Sequence, residues 1–203
     1  MRSFIIIFCF IFLVKNNNSF ASTKNNIIQN FNEIVNLSFE FKQNIDEKTE
    51  EGSCIIEYPK KIYCEYYNKK KILVSDGKNL VIQNLNSNQF YIYPIKKTAF
   101  NLILDKNFLI SKIKNTKGDI VDNKYFRFKF LEGDYQINIF FDIVSYNIIG
   151  WQNVDIYQNL VITYLFNLKK NVQIQKNRFK LPRQTNNWNI LNLFGILFLL
   201  WTK

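Results

Sequence analysis

Two cysteines, Cys54 and Cys64, stand ten positions apart in a stretch crowded with tyrosine and lysine. That spacing fits neither a zinc-ligand pair nor a Cys-x-x-Cys redox centre. The third cysteine, Cys9, lies in an apolar N-terminal run. The chain has no histidine, which removes Ser-His-Asp and Cys-His catalysis and every histidine-containing metal site. Only carboxylates, lysine and tyrosine remain for chemistry, and the acids fall mainly at expected turns or at outward strand positions. The expectation is a protein that is not an enzyme, with no catalytic residues, no metal and no cofactor. An exported hydrolase working on two carboxylates is the rival from another class, and it requires two acids converging in a cleft.

The first residues set the compartment. Arg2 precedes an unbroken apolar run over residues 4–14, and small residues at Ser19 and Ala21 follow a polar stretch. This is the pattern of a secretory leader cut after Ala21, so 1–21 is read as a signal peptide. The apolar run falls short of the roughly 20 residues a spanning helix needs. An uncleaved anchor is the alternative. Cleavage leaves 182 residues, enough for one domain with a core or a cavity. The formal charge of +11 falls to +9 when Arg2 and Lys15 leave. Such a balance suits nucleic acid or an anionic membrane, but lysine is spread along every segment beside Asn, Ile, Phe and Tyr. The composition accounts for the charge without a polyanionic partner. Lysine–aromatic alternation over residues 58–71 has the look of a single-strand nucleic-acid surface; an exported chain argues against it, and no nucleic-acid partner is expected.

Helical spacing comes first in the mature chain. Ser22 or Thr23 can cap a helix whose inner face carries Ile27, Ile28, Phe31, Ile34 and Val35. From Leu37 the period becomes two, with Phe39, Phe41 and Gln43 on one face. Residues 53–58 and 61–67 flank Pro59-Lys60 as a hairpin, and Asp76-Gly77 between two apolar runs is a strong hairpin signal. Further strands are predicted at residues 72–75, 80–83, 90–94, 109–114, 125–130, 135–141, 148–155 and 160–168. Turns fall at residues 86–88, Gly118-Asp119, 132–134 and 142–147. Residues 97–104 read as a short apolar helix. Cys54, Ile56 and Tyr58 share one face of the first hairpin, opposite Ile62, Cys64 and Tyr66. The two cysteines there can pair, or can be two small apolar liners.

In order and spacing these segments resemble the outer-membrane lipoprotein carrier family, LolA. The resemblance rests on Gly52-Ser53-Cys54-Ile55-Ile56-Glu57-Tyr58-Pro59, on Ile62-Tyr63-Cys64-Glu65-Tyr66 and on Leu73-Val74-Ser75-Asp76-Gly77-Lys78. Thr98-Ala99-Phe100-Asn101-Leu102-Ile103-Leu104 is similar to the family's lid motif, although Ala99 stands where the family has proline. Phe41-Lys42-Gln43 and Phe179-Lys180-Leu181-Pro182 resemble its first and closing strands.

The resemblance implies an α+β fold, mainly antiparallel β: an incomplete, unclosed β-barrel with an N-terminal helix and a short helical lid over the concave face. It divides the chain into a signal peptide (1–21), a lipoprotein-carrier domain (22–182) and a C-terminal tail of unknown role (183–203). Ile56, Tyr58, Ile62, Cys64, Tyr66, Phe100, Leu102 and Ile103 would then line the lipid-binding concavity, each being equally suited to plain core packing. The family's lid-holding arginine before the turn proline is replaced by Tyr58, which can supply part of that latch unless Lys60 or Lys61 compensates. The implied partners are lipoprotein acyl chains, an inner-membrane ABC-type lipoprotein-releasing complex and an outer-membrane lipoprotein acceptor. The implied location is the periplasm, and a monomer is expected. The alternative is a membrane-attached lipid- or lipoprotein-binding acceptor of similar fold that uses the apolar residues 190–201 as its attachment.

Overall fold

The computed structural model describes residues 18–87, 89–133, 135–155 and 158–182. The apolar run of the expected leader and the tail beyond residue 182 lie outside them. The alternating segments form one antiparallel sheet. Its strands are β1 (Asn36–Ile45), β2 (Lys48–Glu57), β3 (Lys61–Tyr66), β4 (Lys71–Asp76), β5 (Asn79–Asn84), β6 (Phe90–Pro94), β7 (Asp119–Val121), β8 (Tyr125–Glu132), β9 (Tyr135–Asp142), β10 (Ile148–Val154) and β11 (Leu160–Lys170). They run in the order β6-β5-β4-β3-β2-β1-β11-β10-β9-β8-β7. The sheet starts at β6 and stops at β7 with no closing pair between them, so it is an unclosed barrel. Three helices cover its inner face: α1 (Asn18–Asn32), α2 (Phe100–Ile103) and α3 (Lys106–Asn115).

Three expectations need correction. Residues 109–114, expected as a strand, belong to α3. The Asp105 side chain caps it, accepting the Phe108 N–H at 3.0 Å, and Leu109, Ile110 and Ile113 bury one helical face. A short apolar run looks alike in either state, and the cap decides here. The first helix begins at Asn18, so Ser22 and Thr23 lie inside it. Its buried stripe is Ile27 and Phe31, while Ile34, buried, and Val35, exposed, both lie beyond its end. Asp119, expected in a turn, opens β7 opposite Arg127, which binds its carboxylate through two nitrogens. The turn falls at Asp122 and Asn123, both at positive φ.

The β2–β3 hairpin carries a covalent tie across the inner wall. Cys54 lies directly opposite Cys64, with Ile56 opposite Ile62, and the two cysteines are joined in a disulfide. The pairing left open by the sequence is therefore made. Gly52 faces Tyr66 in the same ladder. A Cβ there would lie 2.1 Å from the Glu65 carbonyl oxygen and 2.7 Å from the Phe41 ring. The Phe41 ring occupies that space and meets Tyr66 edge-on, with centroids 5.1 Å apart.

One charged cluster sits at the end of this wall. Glu50 is buried, and Lys69 and Lys71 reach it at 2.6 and 2.7 Å. The Lys71 ammonium also lies 3.8 Å from the Tyr66 ring centre. Desolvation raises the Glu50 pKa, but the bonds and charges of Lys69 and Lys71 outweigh it and leave it below 4.5. A depressed folded pKa means stability that is present above the unfolded value and is lost as pH falls through the folded one.

Three outcomes are expected. Gly52→Ala should lower unfolding stability by about 1–3 kcal/mol, the usual cost of overpacking, measured by urea titration. Replacing Cys54 and Cys64 together by serine should cost about 2–4 kcal/mol, and thiol titration of the unfolded wild type should find neither residue free. Glu50→Gln should flatten the fall in stability below pH 4.5, followed by urea titration across the acid range.

Candidate functional site

Alternation places two different walls around the concave side. The wall from β1 to β5 presents Phe39, Phe41, the Cys54–Cys64 disulfide, Ile56, Ile62 and Leu73, all buried. The wall from β8 to β10 is aromatic. Phe126, Phe128 and Phe130 succeed one another along β8, and Phe128 meets Phe141 edge-on at 5.9 Å. Phe31 of α1 fills the space between the walls, with its ring 6.0 Å from Phe141 and 5.7 Å from Tyr58. In this closed form the interior is filled by the protein's own side chains.

The cover is the α2–α3 segment. Leu102, Ile103 and Leu104 point inward and are buried, as are Leu109 and Ile113 of α3. Lysines fasten it. The Lys106 ammonium, at the start of α3, donates to the carbonyls of Asn32 (3.0 Å) and Ile34 (2.8 Å) at the end of α1. In return, Lys24 of α1 donates to the carbonyls of Lys114 (2.6 Å) and Thr116 (3.1 Å) at the end of α3. Each cation satisfies orphan carbonyls at the negative end of the other helix. A third tie joins the cover to the β2–β3 turn, where the Tyr58-Pro59 peptide is cis. The Lys60 N–H donates to the Leu104 carbonyl at 2.9 Å, and its ammonium pairs with Asp105 at 3.4 Å. The carbonyl of Lys60 is held in turn by the buried Ser75 hydroxyl at 2.9 Å. A fourth tie, Lys112 to Glu132 at 2.6 Å, reaches the β8–β9 hairpin.

A gap remains where β5 and β6 face β9 and β10 across the edge of the cover. It measures about 220 Å³ and is lined chiefly by Leu80, Ile82, Tyr93, Phe100, Tyr135 and Val154. Ligand pockets usually run from about 300 to 1,000 Å³, so this gap, called the mouth below, is smaller than a usual ligand pocket.

The residues singled out from the sequence separate accordingly. Ile56, Ile62, Cys64 and Tyr66 lie on the inner wall, with Cys64 spent in the disulfide. Leu102 and Ile103 lie under the cover, and Phe100 stands at the mouth. Tyr58 is partly buried against Phe31. Burial pushes its phenol far above the usual range, so it stays neutral. Among the described residues the tie from this turn to the cover is made by Lys60, while Lys61 pairs with Glu57. The sequence reading passed over Leu104, the aromatic wall and the mouth residues Ile82, Tyr93, Tyr135 and Val154. Phe126-x-Phe128-x-Phe130 alternates plainly enough to have revealed that wall. The mouth joins four distant segments and leaves no local pattern.

An unclosed antiparallel barrel with an apolar inner face under a helical cover is an architecture suited to binding apolar chains. The sequence profile of the outer membrane lipoprotein carrier protein LolA matches residues 32–182, and the chain belongs to that family. Proteins of this family bind lipids or lipoproteins and are exported or cell-envelope proteins. No curated protein matches the chain in sequence. Among solved structures it is similar to a LolA superfamily protein from Nitrosomonas europaea, with 6% identity over 78% of this chain and 97% of that one and a TM-score of 0.42. It is also similar to LprF from Mycobacterium bovis, with 10% identity, coverage of 76% and 96% and a TM-score of 0.41. The lipoprotein LppX from Mycobacterium tuberculosis matches with 6% identity, coverage of 78% and 100% and a TM-score of 0.41. Among the described residues no helix is long and apolar enough to cross a membrane.

The ties can be tested one by one. The Lys60–Asp105 pair is about a third exposed on each side, so it is worth roughly 0–1 kcal/mol. Lys60→Met should therefore raise affinity for an apolar fluorescent probe by at most about 5-fold. Lys106→Met removes two cation–carbonyl bonds at once and should raise it further. Tyr58→Phe should leave it unchanged, which titration of the same probe would show.

Proposed function

We propose that this chain is a periplasmic carrier that takes up the acyl chains of lipoproteins released from the inner membrane and delivers them to an outer-membrane acceptor. Membership of the LolA family supports the cargo class. The observation that carries the reading is the cover: helices laid over an apolar wall, with a mouth at their edge and ties that are individually weak. The carrier domain is taken as residues 22–182, following a leader at 1–21 and preceding a separate tail at 183–203. The cargo-lining residues are Ile56, Tyr58, Ile62, Tyr66, Phe100, Leu102 and Ile103, joined by the mouth residues Ile82, Tyr93 and Tyr135. Cys64 lines the wall through its disulfide.

The energies are of the right order for loading and release. Shifting a two-state cover from mostly closed to mostly open requires about 5.5 kcal/mol of differential binding. Each methylene moved out of water contributes about 0.8 kcal/mol, so roughly seven buried methylenes suffice. A single acyl chain exceeds that number, whereas a short one does not. Release needs a partner that offers the chain an equally apolar place and lets the cover close again over its own Leu102, Ile103 and Leu104. The inner-membrane ABC-type releasing complex and the outer-membrane acceptor fill those two roles in this scheme.

The test is isolation of a tagged chain from the periplasm and mass spectrometry of what accompanies it. Acylated lipoproteins are expected, and the same proteins with the acylated cysteine replaced should be lost. Equal recovery of acylated and unacylated forms would sink the reading. Phe100→Glu, at the mouth, should reduce recovery at least 10-fold with little change in unfolding midpoint.

A further inference from the structure

On the outer face of the sheet, behind β7–β11, lies a second groove of about 400 Å³. Phe140, Ile149, Ile162, Tyr164 and Phe166 supply its apolar surface, and Tyr164 and Phe166 are 45% and 49% exposed. These side chains alternate with the inward Thr163 and Leu165, so the groove is separated from the concave site by the sheet itself. Its charged liners are Asp122 and Asp142, both acidic. The geometry points to the chain's own C-terminal segment, residues 190–201, as the occupant of this groove.

Three observations carry the assignment. The first is direction. After β11 the described chain already turns onto this outer face, where it crosses the other half of the sheet. Asn36 and Asn171 fix the turn: the Asn36 amide donates to the Val172 carbonyl at 3.1 Å and its oxygen accepts the Val172 N–H at 2.8 Å. Farther on, Arg178 stacks over Tyr63 at 4.7 Å, and Phe179 is buried beside the Lys61 ammonium at 5.8 Å. The second is reach. Seven residues, 183–189, separate Pro182 from Ile190; extended, they cover about 24 Å. From β3, where Phe179 sits, β11 is three strands away in the sheet order, or about 14 Å at the usual strand spacing. The third is chemistry. Residues 190–201 are apolar except Asn192 and Gly195, and the only charged residues from 183 to 203 are Arg183 and Lys203, both basic. An apolar, cationic segment complements an apolar groove with an acidic rim. Twelve residues fall short of the roughly 20 apolar residues that a spanning helix needs, so a groove on the same molecule suits the segment.

A photoreactive benzoylphenylalanine placed at Phe166 in the full chain tests this, because the position is half exposed and tolerates a ring. Irradiation should give an intramolecular crosslink, at unchanged mass on a denaturing gel, that peptide mapping locates within residues 190–201. The same probe at Tyr67, exposed at the β3–β4 turn, should give none. Crosslinks that double the mass would assign the groove to a second copy. Crosslinks to phospholipid, with phosphatidylethanolamine–phosphatidylglycerol vesicles present, would assign it to a membrane. Either result, or the absence of any tail adduct, overturns the assignment and leaves the acyl-carrier reading untouched.

Discussion

A curled antiparallel sheet that stops before closing has an apolar inner face with no second sheet to meet it. This one begins at β6 and ends at β7, and between those edges Ile56, Ile62, Phe126, Phe128 and Phe141 all face inward. Water cannot be left against such a surface, so something apolar must lie on it. In the closed protein that role falls to Phe31, Leu102, Ile103, Leu104, Leu109 and Ile113. The same demand can be met by hydrocarbon from outside. Exchange between the two coverings is what the architecture makes possible, and every other feature modulates how readily it happens.

The fastening of the cover is built from ammonium groups and carbonyl dipoles. Lys24 and Lys106 bind the C-terminal ends of opposite helices, which ties α1 and α3 into one antiparallel unit. Lys60 joins that unit to the hairpin through both its backbone and its side chain. Lysine is abundant throughout the sequence, and single lysines take work that a bidentate arginine would do with more geometric precision. Spread over several contacts, the fastening puts little weight on any one of them. The Cys54–Cys64 disulfide has the opposite character: it fixes the wall on which the helices lie, so wall and cover are held by different kinds of bond.

Much of the sheet was legible because its signals are local. Alternation at Phe39 and Phe41, the Asp76-Gly77 turn and the Pro59-Lys60 hairpin each specify a neighbour in sequence and need no distant information. Leu109, Ile110 and Ile113 were misread because a short apolar run carries no period of its own, and the cap that settles it, Asp105, stands four residues before the segment expected as a strand. Pleat parity put Ile56, Ile62 and Tyr66 on one face of their hairpin, and it was the family resemblance that made this face the inner one. The mouth followed from neither, since Leu80, Phe100, Tyr135 and Val154 meet only when two flanks of the sheet curl toward each other. The resemblance offered Tyr58 as part of the latch, with Lys60 or Lys61 as the alternative, and it is Lys60, at φ 64, whose N–H and ammonium contact the cover.

The position of Lys24 places one fastening of α3 close to the N-terminal end of α1. Cleavage after Ala21 would make Lys24 the third residue of the mature chain, within the first turn left to α1. A cut three residues later would remove that ammonium and free the carbonyls of Lys114 and Thr116, leaving the Lys106 contacts at the opposite end of the helix pair. Where the chain is cut would then bear on how firmly α1 holds α3.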